Sequence, residues 1–304
     1  MKKAVAVALV VSLLMSLWGA YVAYAVISMN PKLEASWGNV SEGEVEIVVD
    51  AGLGKPLLVP ASVENLSIKF NEVEVASLEE FKYSPTKPDA ELVIELDTNK
   101  LVKAIESYFN NGQRGKADVR VKLGLFGLLH PTLKFSQEFH KDVLGQMNFK
   151  AESKPILGGL LHTPSVEGTR VVWMGGEDGV WKLKAYVTLK NPNSIPIPVS
   201  NLEFEISANG ITVGKGKTSQ GVTIPAGGIA KVPIDVEIYS EYLPKVLATH
   251  IKNGEESTVR LNIYITAGIA GKSVRIGLKS EEVVVKTDVM TSINEALSNV
   301  SRRE

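Results

Sequence analysis

The chain contains two copies of one sequence unit, and this repeat limits its possible folds more than any other feature. At an offset of 136 residues, uncommon residue types align in pairs, and after small insertions the offset grows to 142. The aligned pairs are Trp37 with Trp173, Gly43 with Gly179, Pro56 with Pro192, Pro60 with Pro196, Asn65 with Asn201, Leu66 with Leu202, and Asn111-Gly112 with Asn253-Gly254. Self-similarity at this spacing predicts two domains of one fold. A chain of 304 residues is long enough for each domain to bury its own core.

Each unit has mainly the residue pattern of β-strands. Apolar residues alternate with polar ones in short segments separated by turn-forming residues, which is the period of a half-buried strand. Examples are Val45, Ile47 and Val49, then Leu66, Ile68 and Phe70, and in the second unit Leu202, Phe204 and Ile206. We predict about seven strands per unit, arranged as a β-sandwich.

One stretch in each unit changes from the period of a strand to that of a helix. In the first unit it lies between Thr98, the predicted N-cap, and Asn111-Gly112. In the second unit it lies between Ser240 and Asn253-Gly254, with Pro244 in the first turn, where proline is tolerated. The apolar residues at helical spacing are Leu101, Val102, Ile105, Tyr108 and Phe109, and Tyr242, Leu243, Val246, Leu247 and Ile251. The predicted fold class is therefore all-β with one amphipathic helix per domain.

The N-terminus begins with Lys2 and Lys3, followed by an uncharged run from Ala4 to Ile27. A helix over this run would span the hydrocarbon core of a bilayer, which is about 30 Å thick. The two lysines favour a cytoplasmic N-terminus. The alternative is a cleaved signal peptide, because Ala23-Tyr24-Ala25 fits the small-x-small cleavage pattern. Both interpretations predict folded units outside the cytoplasm, either anchored to a membrane or secreted.

These features divide the chain into four parts. We predict a transmembrane anchor or signal peptide over residues 1–31, a first β-sandwich over 32–150, a second over 151–290, and a C-terminal tail over 291–304. A turn-rich link from Met147 to Pro164 separates the sandwiches. The tail has the pattern of a short helix with Ile293, Leu297 and Val300 on one face, which would pack on the second domain or fray.

Composition excludes several kinds of partner and site. The formal net charge of −1 argues against binding of nucleic acid, because phosphate contacts require a concentrated excess of lysine and arginine. Cysteine is absent, which excludes disulfides, thiol catalysis and cysteine-based zinc sites. Each domain must therefore be stabilised by its own core.

No catalytic, cofactor-binding or metal-binding residues are predicted, and we expect the chain not to be an enzyme. The segment Thr266 to Ser273 is one residue away from a phosphate-binding loop, but a strand pattern follows it where such a loop requires a helix. A hairpin turn is the better interpretation. No Gly-x-Ser-x-Gly motif of a serine hydrolase occurs. The histidines, which share no metal-ligand spacing, are His130, His140, His162 and His250.

The second unit carries a recognisable order of motifs. A strand runs into Asn191-Pro192-Asn193, and a proline-rich step, an Asn-Gly turn and an Ile-Pro-Ala-Gly turn follow. The segments are Tyr186–Asn193, Ile195–Val199, Asn201–Leu202, Asn209–Gly210, Gly214 and Ile224–Gly228. Residues 166 to 289 resemble the water-stress and hypersensitive-response (WHy) domain of the group 2 late embryogenesis abundant proteins, the folded members of a mostly disordered class. The first unit has Lys55-Pro56-Leu57 in place of the Asn-Pro-Asn motif and lacks the Ile-Pro-Ala-Gly turn.

The resemblance implies two tandem immunoglobulin-like or fibronectin-like β-sandwich domains, a link to desiccation or other stress, and no known catalysis. The Asn-Pro-Asn motif itself needs no ligand, because proline ends a strand and asparagine bonds nearby backbone. The expected function is protection of membranes or proteins by a non-enzymatic, membrane-anchored protein, with a membrane, lipids or other proteins as partners and no cofactor. Two alternatives stay open: a carrier of lipids or other apolar ligands with the helix as a lid, and an adhesion or scaffold module.

Overall fold

The computed structural model describes residues 2–28, 31–148, 150–199, 201–269 and 272–301. Within these ranges, two seven-stranded antiparallel sheets form most of the structure. The first sheet contains β1 (Lys32–Val40), β2 (Glu44–Gly52), β3 (Ala61–Phe70), β4 (Val73–Tyr83), β5 (Asp89–Asp97), β6 (Arg114–Leu125) and β7 (Thr132–His140). The helices are α1 (Lys2–Ile27), α2 (Thr98–Asn110), α3 (Val143–Gln146), α4 (Leu243–Lys252) and α5 (Val289–Ser301).

The second sheet follows a short link. The link contains the two-residue strands β8 (Pro155–Ile156) and β9 (Leu161–His162), joined by a 3-10 turn. The sheet and its small flanking ribbon contain β10 (Ser165–Glu177), β11 (Val180–Lys190), β12 (Ile197–Val199), β13 (Asn201–Ala208), β14 (Ile211–Thr218), β15 (Val222–Ile224), β16 (Ile229–Tyr239), β17 (Glu256–Ile269) and β18 (Lys272–Lys286). Strands β12 and β15 pair with each other outside the main sheet.

Both large sheets have the same strand order. The order is β1-β2-β5-β4-β3-β6-β7 in the first and β10-β11-β16-β14-β13-β17-β18 in the second, so every strand of the first sheet has a counterpart. Helix α2 lies between β5 and β6 along the chain, and α4 lies between their counterparts β16 and β17. The mostly β fold predicted from the residue pattern is confirmed.

All seven main strands of each unit are linked by hydrogen bonds, including the two groups of strands that the predicted sandwich divides between its sheets. The cause is β4, which pairs with β3 over Val73–Ser77 and with β5 over Ala76–Tyr83. This strand therefore joins strands that a sandwich would divide between two sheets. In the second unit β14 connects β13 and β16 in the same way.

The buried core of each unit lies on one face of its sheet. In the first unit Leu66, Ala76 and Ile94 come from the adjacent strands β3, β4 and β5. The core of the second unit is larger, and its most deeply buried side chains are Val199, Ile224, Val232 and Ile234. Burying one such side chain contributes roughly 1.5–3 kcal/mol. The apolar alternation seen in the sequence thus places one face of each strand against the core.

Helix α2 is capped by Asp97, one residue before the predicted cap. Oδ1 of Asp97 accepts a hydrogen bond from the backbone N–H of Lys100 at 2.9 Å. Thr98 is fully buried and donates its hydroxyl to the carbonyl of Glu42 in the β1–β2 turn. Aspartate and threonine are both favourable N-cap residues. Because the Thr98 hydroxyl bonds the β1–β2 turn, Asp97 is the residue that caps the helix. The predicted apolar face is confirmed, with Val102 and Tyr108 buried.

Helices α2 and α4 lie at the junction between the two units. Helix α2 packs on β4, β5 and β6 of its own sheet and also contacts α4 and β10 of the second unit. Helix α4 contacts β1 of the first unit. Each amphipathic helix therefore connects one unit to the other, an arrangement that its sequence pattern does not reveal.

The C-terminal helix packs mainly on β1 of the first unit, where the sequence predicted packing on the second unit or fraying, and its first residues bond Glu255 of the second unit. The side-chain amide of Asn294 in α5 bonds both backbone groups of Ala35 in β1, with distances of 2.6 Å to the N–H and 2.9 Å to the carbonyl. Ile293 and Leu297 are half-buried, and residues 302–304 of the predicted tail lie outside the described residues. Since β1 is an edge strand, α5 satisfies part of an edge that would otherwise be open.

Helix α1 extends from Lys2 to Ile27 and includes the uncharged run that begins at Ala4. Counted over the residues that the structure describes, no helix is both long enough and apolar enough to cross a membrane. The predicted transmembrane segment is not supported by this finding.

Candidate functional site

The segment that resembles a phosphate-binding loop lies in a β-hairpin. Thr266 to Ile269 end strand β17, and Lys272 and Ser273 begin β18, with Ile269 paired to Lys272. Ala270 and Gly271 lie outside the described residues. Two antiparallel strands flank the segment, and a phosphate-binding loop would require a helix after it. The predicted hairpin is therefore confirmed.

The four histidines lie in separate environments. Nδ1 of His130 is 2.6 Å from Oε1 of Glu64, and His250 bonds the hydroxyls of Ser257 and Thr287. His162 contributes backbone groups to a turn, and His140 ends β7. Among the described residues, no group of three or more His, Cys, Asp or Glu residues is placed to hold a metal ion.

The Asn-Pro-Asn motif forms a buried hydrogen-bonded turn. The amide nitrogen of Asn191 donates to the carbonyls of Ile195 at 2.7 Å and Pro225 at 3.1 Å, and its Oδ1 accepts from the backbone N–H of Asn193 at 2.9 Å. Asn191 is fully buried. Its side chain thus connects the end of β11, the proline-rich step and the Ile-Pro-Ala-Gly turn.

Asn193 extends this turn to the link between the units. Its side chain donates to the carbonyl of His162 and accepts from the backbone N–H of the same residue, both at 2.8 Å. Its carbonyl accepts a hydrogen bond from the backbone N–H of Gly227, which has a left-handed φ of +63°. The motif therefore holds three loops together, as its structural interpretation predicts.

Two tryptophans at equivalent positions of the repeat each contact the helix end of the other unit. Trp37 on β1 donates its indole N–H to Oε1 of Glu255 at 3.1 Å. Trp173 on β10 donates to Oδ1 of Asn110 at 2.7 Å. The strand register shifts directly after each tryptophan. The two units are therefore joined reciprocally, like subunits related by a two-fold axis.

Aromatic packing is concentrated in one half of this junction. The ring of Phe109 in α2 stacks on Trp173 with centroids 5.0 Å apart. Trp181 lies beside them and donates its indole N–H to Oε2 of Glu106 at 2.8 Å. The positions equivalent to Trp181 and Glu106 are Val45 and Ala248, both buried. The two halves of the junction therefore have equivalent tryptophan contacts, but an aromatic and hydrogen-bonded group in one half is replaced by small apolar residues in the other.

Glu255 and Gln113 occupy equivalent positions just after the helix ends. Both have a left-handed backbone, with φ of +61° and +62°, which residues other than glycine adopt rarely. Oε1 of Gln113 accepts a hydrogen bond from the backbone N–H of Leu144 in α3 at 2.9 Å. Glu255 accepts hydrogen bonds from the first residues of α5. In each unit this side chain caps the helix that follows the last strand.

Glu255 is a buried carboxylate with four donors. Its oxygens accept from the backbone N–H groups of Val289 at 2.6 Å and Met290 at 2.9 Å, from the Thr287 hydroxyl at 3.0 Å and from the indole of Trp37. Desolvation alone would raise the pKa of Glu255, but these hydrogen bonds outweigh it, so the pKa is lowered from its ordinary 4.5. The carboxylate is charged at neutral pH and joins α5, β18 and β1.

The outer face of the second sheet carries two rows of alternating charge. The register of β13, β14, β16 and β11 places Glu203, Lys217, Asp235 and Lys184 in one row, and Glu205, Lys215, Glu237 and Lys182 in the other. Lys184 and Asp235 form an ion pair at 3.1 Å, as do Lys215 and Glu237. We call these eight residues the charged rows. They alternate along each strand with the core residues of the opposite face.

The pKa shifts of two residues in the charged rows, Asp235 and Lys215, favour their charged forms. A hydrogen bond from Ser219 lowers the pKa of Asp235, aided by Lys184. Hydrogen bonds with Tyr239 and Glu237 raise the pKa of Lys215. In water such exposed pairs contribute about 0–1 kcal/mol each. Because the attraction between charges varies inversely with the dielectric constant, it strengthens where water is removed.

A shallow depression on the first sheet is lined mainly by charged side chains. Its volume is about 220 Å³, and its lining consists of Lys116, Asp118, Val119, Arg120, Lys134, Phe135 and Ser136. Lys116 and Asp118 form an ion pair at 3.0 Å. This lining does not suit an apolar ligand, which requires a mostly hydrophobic cavity.

Residues 186–282 match the sequence profile of the late embryogenesis abundant protein family. The matched range begins in β11 and ends in β18, and it contains the Asn-Pro-Asn turn and six of the eight residues of the charged rows. No functionally curated protein matches the chain.

Several solved structures are weakly similar to parts of this chain. A crystal structure of a protein from Archaeoglobus fulgidus is 24% identical, covers 41% of this chain and 98% of its own, and has a TM-score of 0.34. A solution structure of a protein from Arabidopsis thaliana is 21% identical, covers 42% of this chain and 85% of its own, and has a TM-score of 0.29. A glycosyl hydrolase family 2 member from Bacteroides cellulosilyticus is 12% identical, with a TM-score of 0.26, and covers 80% of this chain and 28% of its own. Likenesses this weak carry no functional argument.

The roles of Glu255 and of the charged rows were missed by the sequence analysis. A glutamate after an Asn-Gly turn has the appearance of an exposed turn residue, and only its alignment with Gln113 marks the position as special. The alternating charges of β13, β14, β16 and β11 are visible along each strand, but the rows exist only across strands. The charged rows required the strand order, and the contacts of Glu255 required the positions of Trp37 and α5.

Replacing Asn191 with alanine should destabilise the second unit by about 2–4 kcal/mol, because buried carbonyls and the Asn193 N–H lose their partner. Urea unfolding followed by tryptophan fluorescence measures the change. The matched control is Lys55→Ala at the equivalent, half-exposed position of the first unit, where we expect a change within about 0.5 kcal/mol. Equal effects of the two substitutions would contradict the structural role of the motif.

Replacing Glu255 with glutamine should lower the free energy of unfolding at pH 7 by roughly 1.5–3 kcal/mol, because hydrogen bonds to a charged acceptor are lost. The folded pKa of Glu255 is lowered, so its stabilisation is present above pH 4.5 and disappears as the pH falls through the folded pKa. The difference between the two proteins should therefore shrink in acid.

Thermal unfolding of both proteins between pH 7 and pH 3 tests this expectation. Glu256→Gln is the matched control, since Glu256 is the next residue and its ion pair with Lys286 is exposed. A stability difference for Glu255→Gln that does not change with pH would contradict a role for the charge.

Proposed function

We propose that this chain is a non-enzymatic protein that protects membranes or proteins while water is being lost, held at a membrane by its N-terminal segment with the two units outside the cytoplasm. The observation that carries the proposal is the match of residues 186–282 to the late embryogenesis abundant protein family. The proposal further treats the two units as tandem copies of one WHy-like domain, a view supported by the identical strand orders.

The charged rows supply a physical mechanism for this function. A protective protein must keep its own fold when its hydration shell thins. The strand register places opposite charges side by side across four strands of the second sheet, and ion pairs join β11 to β16 and β14 to β16. Their attraction increases as the local dielectric constant falls, so drying stiffens the sheet instead of loosening it. The folded surface then remains available to replace water at neighbouring headgroups or protein surfaces.

Replacing the four lysines of the charged rows with glutamine tests the mechanism. We expect little change of the melting temperature in buffer, because exposed pairs contribute about 0–1 kcal/mol each in water. After drying and rehydration, the variant should retain less native β-structure, measured by infrared absorption of the amide bonds. It should also protect a labile enzyme less well than the unchanged protein does.

The matched control replaces four other exposed lysines with glutamine and gives the same net charge. Suitable positions are Lys87, Lys103, Lys245 and Lys252, which lie outside the charged rows. Equal loss of structure on drying in the two variants would reject the mechanism. Absence of any protective effect in the unchanged protein would reject the proposed function itself.

Membrane attachment is tested separately by flotation with liposomes. We expect the full chain to float, supported by the uncharged run from Ala4 to Ile27 and the lysines before it. Replacing Leu14 and Leu17 with lysine should abolish flotation, because a lysine at the centre of a membrane helix costs about 2.5–3.5 kcal/mol on insertion scales. Leu14→Ala with Leu17→Ala is the control and should float. An intact mass that begins after Ala25 in protein from cells would instead indicate a cleaved signal peptide.

A further inference from the structure

Two loops of the first unit form a platform beside the C-terminal half of α1. One is the loop of residues 53–60, and the other is the β6–β7 hairpin tip of residues 125–129; together we call them the apolar platform. Trp18 donates its indole N–H to the carbonyl of Leu58 at 3.0 Å, and Tyr21 donates its hydroxyl to the carbonyl of Pro56 at 2.7 Å. The rings of Trp18 and Phe126 meet edge-on with centroids 5.8 Å apart. Helix α1 is therefore seated on this platform.

The platform holds two bulky apolar residues in a strained backbone conformation. Leu58 and Phe126 have φ of +56° and +57°, in the left-handed region. For residues of this kind such a conformation is unfavourable and persists only where the surrounding structure holds it. The neighbouring chain holds both in place, since their N–H groups bond the carbonyls of Pro85 and Pro60 at 2.9 Å.

The strained residues and their neighbours point apolar side chains outward. The exposed fractions are 37% for Leu58, 41% for Phe126, 80% for Leu128 and 58% for Leu129. Exposure of such side chains to water is unfavourable by about 25 cal/mol per Å² of apolar surface. Backbone strain therefore coincides with apolar exposure at one end of the unit, and an apolar cover would offset both costs.

The adjoining part of α1 indicates which cover this is. Leu13, Leu14, Met15 and Leu17 are each 59–61% exposed. Neighbouring residues of a helix point about 100° apart, so these four side chains spread over roughly 200° of the circumference of α1, about twice the width of a single apolar stripe. A protein partner that packs on one stripe would leave part of this surface in water, whereas lipid chains can cover all of it. The platform continues this broad apolar surface.

Polar groups border the platform at the level where α1 ends. Nζ of Lys55 lies 4.1 Å from the ring centroid of Tyr24 and 2.7 Å from Oγ of Ser28. On another side, Glu64 pairs with Lys122 at 2.8 Å and with His130 at 2.6 Å. Aromatic residues with polar tips and lysines at the edge of an apolar surface are typical of the bilayer–water interface.

We propose that the apolar platform enters the interface of the lipid bilayer next to α1, so that this end of the first unit rests on the membrane. The proposal depends on the membrane attachment in the proposed function. It also fixes an orientation, because α2 lies at the opposite end of β6, about 40 Å away along its twelve residues. The unit–unit junction would then be held well above the lipid surface.

A depth-sensitive probe on the full chain tests this orientation. The chain contains no cysteine, so Leu128→Cys and the exposed control Lys103→Cys in α2 each give one labelling site. Each variant is labelled with an environment-sensitive fluorophore and reconstituted into phosphatidylcholine vesicles that contain a nitroxide-labelled lipid. We expect roughly two-fold or greater quenching at position 128 and little at position 103, because interfacial side chains enter about 5–10 Å into the bilayer. Equal melting temperatures of both labelled variants and the unlabelled chain establish that the fold is kept.

The outcomes separate the two proposals. Chains that float with the vesicles but show no quenching at position 128 would overturn the platform proposal and leave membrane attachment standing. Chains that do not float would overturn both. A detergent-solubilised mass of twice the chain, with the position 128 probe shielded without lipid, would identify a second copy as the cover and would also overturn the proposal.

Discussion

The carboxylate of Glu255 connects three parts of the chain that are far apart in sequence: Trp37 of β1, the end of β18 and the start of α5. Helix α5 in turn bonds β1 through Asn294 in its middle, so the helix links the Glu255 turn of the second unit to the edge strand of the first. Removing the charge would leave buried N–H groups with a weaker acceptor at each of these places. The relative placement of the two units, and of every surface on them, depends on this group together with the reciprocal tryptophan contacts.

The junction also explains the position of the amphipathic helices. A helix with one apolar stripe must bury that stripe against another apolar surface. Within its own unit, each helix can bury only part of it, against strands of its own sheet. Here α2 and α4 pack on their own sheets and on each other, so the repeat supplies a second surface. The aromatic group around Phe109 strengthens one half, while Val45 and Ala248 occupy the other. The pairing of two units is thus part of the stability of each helix.

The two surfaces for which we propose functions lie on different kinds of structure. The charged rows sit on the outer face of a regular sheet, where the strand register spaces opposite charges evenly. The apolar platform sits on loops, held by left-handed residues and by two side chains of α1. A sheet is suited to a surface that must keep its shape when water is lost. Loops are suited to a contact that must follow a soft lipid surface.

Local residue patterns were sufficient for the strands and for the faces of α2 and α4, because each depends on neighbours within a few residues. They also indicated that Asn-Pro-Asn forms a turn, but not its bonds to Pro225 and His162, which are more than 30 residues away. They were also sufficient to predict the hairpin at Thr266 in place of a phosphate-binding loop. They could not select Asp97 over Thr98 as a cap, place α5 on β1, or join β4 to two partners. These outcomes, like the contacts of Glu255 and the charged rows, depend on groups brought together only by strand order and unit pairing. The sequence therefore determined the elements and their repetition, and the tertiary structure decided which of their polar groups meet.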